Sequence, residues 1–340
     1  MSAPERVIQS PATRLRNLLN YNTTQMVYVA AKLGIADRLV DGPRRADELA
    51  HLVDAHPRAL YRLLRALTHV GVFAEDAEHR FCLTPMAELL RANAPGSMRA
   101  FALSYGESWW WSPWGRLLDT VRSGTTAFDQ AMGQGFFEYL QRHPEAAAIF
   151  NANMTSMTER DVPEVVTSYD FSGTGLLVDV GGGHGALVSA ILQAGARHEA
   201  ILFDRPEVAR GAQARLAAAG VADRCRVVEG SFFESVPKGG DTYTLKDIIH
   251  DWDDERAVAI LRNCKRAMAP DAKLLLIERV LPADGEAAVG KMVDITMMVL
   301  TGGMERTEDE YRALLEQAGF ALRRVVFTHS AASVLEAVPA

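Results

Sequence analysis

Apolar and polar residues alternate differently in the two halves of this chain. In the first half the apolar positions fall at helical spacing. Leu15, Leu18, Leu19, Met26, Val29 and Leu33 make an amphipathic stretch that needs a partner face. Three short helical patterns follow between about Gly34 and Leu90. They include a polar turn flanked by the apolar Val70–Phe73 and Phe81–Leu83, which predicts a small β-wing. Residues 100–165 are again helical and carry Trp109, Trp110, Trp111 and Trp114. Aromatics at this density build a core or an interface more often than a ligand site. Phe150, Asn153, Met154 and Met157 share one helical face just before the second half. They are candidates for the wall of an apolar substrate pocket, which methionine suits by its adaptability, although core packing is open to each.

From about Tyr169 short apolar runs alternate with helical patterns, the signature of a mostly parallel sheet covered on both faces. Strands are predicted near 176–180, 200–204, 224–229, 241–246 and 273–279, with an antiparallel terminal pair near 320–328 and 332–337. The fold class is α/β. Ligands of such sheets sit outside the carboxyl ends of the strands, at the point where strand order reverses.

The first of these runs ends in LLVDVGGGHG, residues 176–185. Gly181, Gly183 and Gly185 allow a sharp turn and close approach of a ligand, and the helix predicted from Ala186 aims its N-terminus at the same place. Two cofactors fit this seat. Gly181 and Gly183 with Ala186 satisfy a dinucleotide fingerprint, and Asp204 is the acidic residue about 20 positions on that would meet a ribose. Asp179 favours the other reading. A carboxylate at the end of a buried strand needs a partner, and the amino-acid end of S-adenosylmethionine supplies one.

Composition narrows the class. A length of 340 residues favours two domains over one. Hydrophobic content of 48% and charged content of 23% are ordinary for a globular protein. A net charge of −7 with no basic tract argues against nucleic acid as a partner and against a DNA-reading role for the wing. Cys82, Cys225 and Cys264 are odd in number and far apart, so neither disulfides nor a thiolate metal site is expected. No apolar run is long enough to cross a bilayer, and the expected location is cytoplasmic.

The second informative stretch is TYTLKDIIHDWDDE, residues 242–255. A strand gives way to Lys246, then His250, Asp251 and Trp252, before a helix capped near Asp253. His250 thus leaves the sheet beside the glycine turn, with a side chain whose ordinary pKa suits proton transfer. Glu278 ends the strand KLLLIE at the same rim, and Glu305 lies in GGMERTEDE before another helix. A carboxylate beside a histidine fixes its tautomer and favours its charged form. Salt bridging for Glu278 and capping for Glu305 remain open on local grounds. No H-E-x-x-H, G-x-S-x-G or Walker loop occurs, and no metal is expected.

LVDVGGGHG, FDRPEV, GSFFESVP, LKDIIHDWDDE, IERVLP and GGMERTEDEY together resemble, in order and over nearly the whole chain, the plant-type S-adenosylmethionine-dependent small-molecule O-methyltransferases. That family includes caffeate and flavonoid enzymes and bacterial relatives in natural-product tailoring. The resemblance implies a Rossmann-like, seven-stranded class I methyltransferase domain over 169–340. It implies a winged-helix dimerisation domain over 1–100 that makes a homodimer, and a helical linker over 101–168 that roofs the substrate cleft. It implies His250 as general base, flanked by Glu278 and Glu305. Asp179, Gly181, Gly183, Asp204, Arg205, Ser231, Phe232 and Lys246 would meet the cofactor. Asp251 would join Phe150, Asn153, Met154 and Met157 at the substrate. Ser231 departs from the family, which commonly has aspartate there to meet the adenine amino group; a hydroxyl accepts a weaker hydrogen bond.

The expected activity is therefore methyl transfer from S-adenosylmethionine to a hydroxyl, expected to be phenolic, of an aromatic small molecule. The alternatives are a nicotinamide-type dinucleotide enzyme and a ligand-sensing DNA-binding protein built on the wing.

Overall fold

The computed structural model describes residues 10–19, 21–195, 199–284 and 289–340. The chain divides into two compact units between Ser108 and Trp109.

In the first unit the helices Asn22–Lys32, Ala46–Leu52 and Pro57–His69 enclose a core of Ile35, Leu39, Leu49, Leu64, Leu67, Phe73 and Phe81. Strands Phe73–Glu75 and Arg80–Leu83 pair as an antiparallel hairpin, with Arg44–Arg45 along its other edge. The wing is present but starts later than predicted. Val70 caps the preceding helix, and Gly71, at φ +78°, turns the chain before it can extend.

The second unit holds a seven-stranded sheet. Its strands are β1 (Leu176–Val180), β2 (Glu199–Asp204), β3 (Cys225–Glu229), β4 (Thr242–Lys246), β5 (Lys273–Glu278), β6 (Phe320–Phe327) and β7 (Ser333–Pro339). The order across the sheet is β6-β7-β5-β4-β1-β2-β3. β1 to β5 are parallel, and β7 runs antiparallel between β5 and β6. The central strands are continuous apolar runs because both faces are covered. One face packs with Val178, Tyr243, Leu245, Leu274 and Leu276, the other with Leu177, Leu202, Leu275 and Ile277.

Strand order reverses at β1 and β4, so the carboxyl ends of these two strands flank the crevice where such sheets bind ligands. Helix α1 (Pro144–Ser168) packs Val162 and Val165 into the second face, and α2 (Ala186–Ala194) follows the glycine turn. Trp109 and Trp110 are buried, while Trp111 keeps 45% of its surface exposed. No helix among the described residues is long and apolar enough to cross a membrane.

Candidate active site

The glycine turn is built by close approach. Gly181 has φ +72°, and a Cβ there would lie 2.4 Å from Ile248 Cδ1. A Cβ on Gly182 would meet Asp179 Oδ2 at 2.7 Å. Gly183, at φ +58°, faces open space. The backbone N–H groups at the start of the turn are used within the fold. Those of Gly181 and Gly182 donate to the Phe203 carbonyl of β2, and that of Gly183 donates to Asp204 Oδ2 at 2.8 Å. They are spent on orienting the neighbouring strand end and its carboxylate.

Asp179 is buried beneath this turn. Thr244 on β4 donates to its Oδ1 at 2.7 Å, and its Oδ2 has no partner. Burial pushes its pKa up to about 6 despite the Thr244 hydrogen bond. Asp204 is also raised, first by burial, against the N–H groups of Gly183 and Arg205 that favour its ionised form. Arg205 itself bonds Glu207 at 3.3 Å and lies over the Phe137 ring at 5.6 Å. Ser231 Oγ accepts from the Phe233 N–H at 3.3 Å, and the Phe232 ring lies 3.6 Å from where a Gly181 Cβ would sit. An unpaired buried carboxylate oxygen, an open glycine and an oriented second carboxylate suit the aminoacyl and ribose ends of S-adenosylmethionine.

Across the crevice, β4 exits into a short helical turn, Ile249–Asp251, that carries His250. Glu278 at the end of β5 pins this turn: its Oε1 accepts from the N–H groups of Ile248 (3.1 Å) and Ile249 (2.7 Å). Gly303 lets the loop before Glu305 press against the turn. A Cβ at Gly303 would lie 2.0 Å from the His250 carbonyl oxygen, which accepts from the Met304 N–H at 2.9 Å. Glu305 Oε1 is thereby placed 2.8 Å from His250 Nδ1. Glu278 Oε2 is 3.9 Å from the same nitrogen. Both carboxylates that the sequence placed beside the ring reach it, Glu305 more closely than Glu278.

Nδ1 therefore carries the proton that Glu305 accepts, and Nε2 is left facing Asp251 Oδ1 at 3.8 Å. Burial lowers the imidazole pKa, but the carboxylates of Glu305, Glu278 and Asp251 outweigh it and raise it to about 10. Burial raises Asp251 to about 7, and raises Glu278 as well. Proton affinity is thus shared around the ring.

Several residues of this cluster were missed from sequence. Asp247 adopts φ +52° and sets its carboxylate between Lys246 Nζ and Arg279 Nη1, the latter at 2.8 Å. Those two cations overcome its burial and hold its pKa well below the carboxylate range. Asp247, His250 and Glu278 bring ligand atoms within 4.8 Å of one another, but the two cations on Asp247 make it a poor metal ligand. Lys246 also bonds Asp161 of α1 at 3.3 Å, so its ammonium is shared between two carboxylates. The buried Arg306 donates to the carbonyls of Ile249 and Trp252 and pairs with Asp254 at 2.8 Å, tying the Glu305 loop to the His250 turn.

One face of α1 completes the surroundings. Phe150 packs edge-on against Phe136 at 5.2 Å, and Phe137 stacks on Trp252. Met154 and Met157 are half-buried, and Asn153 is fully buried.

Comparison with known proteins decides the family. A model of the O-methyltransferase domain matches residues 114–321, and one of the O-methyltransferase dimerisation domain matches residues 15–93. The chain belongs to the O-methyltransferase family. It is 46% identical to a phenazine O-methyltransferase of Lysobacter antibioticus, over 96% of this chain and 95% of that protein. It is 33% identical to a phenazine-1-carboxylate N-methyltransferase of Pseudomonas aeruginosa, over 92% and 93%. Among solved structures it matches an O-methyltransferase from neocarzinostatin biosynthesis in complex with S-adenosylmethionine and 2-hydroxy-5-methyl naphthoic acid. That match has a TM-score of 0.84 and 35% identity, and covers 96% of this chain and 98% of the other. The Rossmann-like class I fold and the methyl donor follow from this membership; the dinucleotide reading does not stand.

Proposed function

We propose that this chain methylates a hydroxyl of an aromatic small molecule, with His250 as general base, and that it works as a homodimer through its N-terminal unit. The observation that carries the reading is the contact of Glu305 with His250 Nδ1, which leaves Nε2 as the proton acceptor. S-adenosylmethionine supplies a methyl group already activated on a cationic sulfonium. What the protein must add is placement of the acceptor oxygen and removal of its proton.

Asp179, Gly181, Gly183, Asp204, Arg205, Ser231, Phe232 and Lys246 make the cofactor side in this proposal. Phe150, Asn153, Met154, Met157 and Asp251 make the acceptor side. His250 with a pKa near 10 is charged at neutral pH in the ligand-free protein. A base must be neutral. A cation bound beside the ring, or protonation of Asp251 and Glu278, brings the imidazole down towards neutrality. In this proposal the site is primed by loading, and Glu305 then steadies the imidazolium that forms.

Transfer to oxygen rather than nitrogen is favoured by the base itself, because a neutral amine attacks without prior loss of a proton. The test offers the protein 1-hydroxyphenazine and 1-aminophenazine with S-adenosylmethionine and identifies the methylated atom by mass spectrometry and NMR. The expected product is the methyl ether. Exclusive N-methylation would overturn the proposal.

A further inference from the structure

Asn153 is wholly buried in the middle of α1, and neither its Nδ2 nor its Oδ1 has a hydrogen-bond partner. A buried amide left unpaired costs about 1–3 kcal/mol, and native proteins tolerate few of them. The face of the helix on which it lies is fixed by its neighbours. Phe150, three residues earlier, belongs to the aromatic group that reaches Trp252 through Phe137. Asp161, two turns later, bonds Lys246. The opposite face is used for packing: Thr155 meets His184, and Glu159 pairs with Arg215. Asn153 therefore lies on the side of α1 that is tied to the β4 exit, directly through Asp161 and by way of Phe137 from Phe150.

We propose that Asn153 is a specificity-determining residue, whose amide hydrogen-bonds a heteroatom of the aromatic acceptor other than the one methylated. This rests on the reading of the crevice as a small-molecule methyltransferase site. The acceptor class is then a hydroxylated aromatic with a ring nitrogen or carbonyl, not a plain hydrocarbon phenol. A site built around such a hydrogen bond discriminates strongly against analogues that lack it, because its own polar group is then stranded. The same amide makes the free protein less stable than an apolar residue of similar size would.

The experiment compares wild type with Asn153→Leu in the S-adenosylhomocysteine complex of the full chain. Dissociation constants are measured by calorimetry for 1-hydroxyphenazine and for its all-carbon counterpart, 1-hydroxyanthracene, and the melting temperature of each free protein is recorded. Wild type should prefer the phenazine about tenfold, Asn153→Leu should lose that preference, and its melting temperature should rise by a few degrees. An unchanged preference in the variant, no preference in wild type, or no binding of 1-hydroxyphenazine would overturn the inference. A melting temperature that falls while the preference persists would also overturn it, since the amide would then be structural. Binding is read without turnover. Loss of methyl transfer to oxygen with the preference intact would therefore count against the proposed reaction and not against Asn153.

Discussion

The two sides of the crevice handle buried polar groups in opposite ways. At the glycine turn the chain satisfies itself: backbone N–H groups go to Phe203 and Asp204, and a single carboxylate oxygen, on Asp179, is left over. At the β4 exit the charges are crowded. Asp247, Asp251, Glu278 and Glu305 surround His250 with Lys246 and Arg279 among them, and one oxygen each of Glu278 and Glu305 has no hydrogen-bond partner. The first arrangement leaves one buried carboxylate oxygen that a cationic ligand group could pair. The second holds an ionisable ring among buried carboxylates at the expense of stability, an arrangement that suits the proton transfer proposed for it.

The largest expected contrast comes from His250→Gln. It should lower methyl transfer by about 10²–10⁴-fold while S-adenosylhomocysteine binding by calorimetry stays within twofold. Turnover near wild type would move the chemistry away from the β4 exit. Next in size is Glu278→Ala, which strands the N–H groups of Ile248 and Ile249. Each stranded group costs about 1–3 kcal/mol, so thermal denaturation should show a loss of several degrees. An unchanged melting temperature would mean that Glu278 does not pin the turn.

Asp179→Asn sharpens the other side. The folded pKa of Asp179 is raised to about 6, above the ordinary value of about 3.9. Its stabilising contribution is present below that ordinary value and is lost as pH rises through about 6. The variant should therefore melt higher than wild type at pH 8, with the gap closing towards pH 4, and should bind S-adenosylmethionine about tenfold more weakly. Equal melting temperatures at pH 8 would contradict the buried charge. The smallest effect is expected from Ser231→Asp, which should tighten S-adenosylmethionine by about two- to fivefold in a competition titration. No change would remove position 231 from adenine recognition.

The same contrast explains what the sequence could show. The glycine turn is contiguous, and the strands around it are uninterrupted apolar runs, so both were readable. Asp253 was readable as a cap, and its side chain accepts from the Arg256 N–H at 2.9 Å. The β4 exit gathers groups from Asp161 to Arg306, and burial of a charge is decided by tertiary packing that no local pattern encodes. Arg279 looks like a surface residue after a strand, yet it is buried against Asp247. Asp247 stood in plain view between Lys246 and His250, but its left-handed backbone gives no residue signal. The contact of Glu305 with the ring was not readable because its reach depends on Gly303, whose close approach to His250 appears only in three dimensions. A glycine pair just before an acid is the one hint that was available.

In the proposed mechanism Glu305 sets the proton affinity of His250. The most direct test is the pH dependence of kcat/KM for a phenolic acceptor in wild type and Glu305→Gln. Removing the carboxylate that raises the imidazole most should lower its pKa, so the acid limb of the profile should move to lower pH, together with a fall in the plateau rate. A limb that stays in place or moves to higher pH would contradict the account.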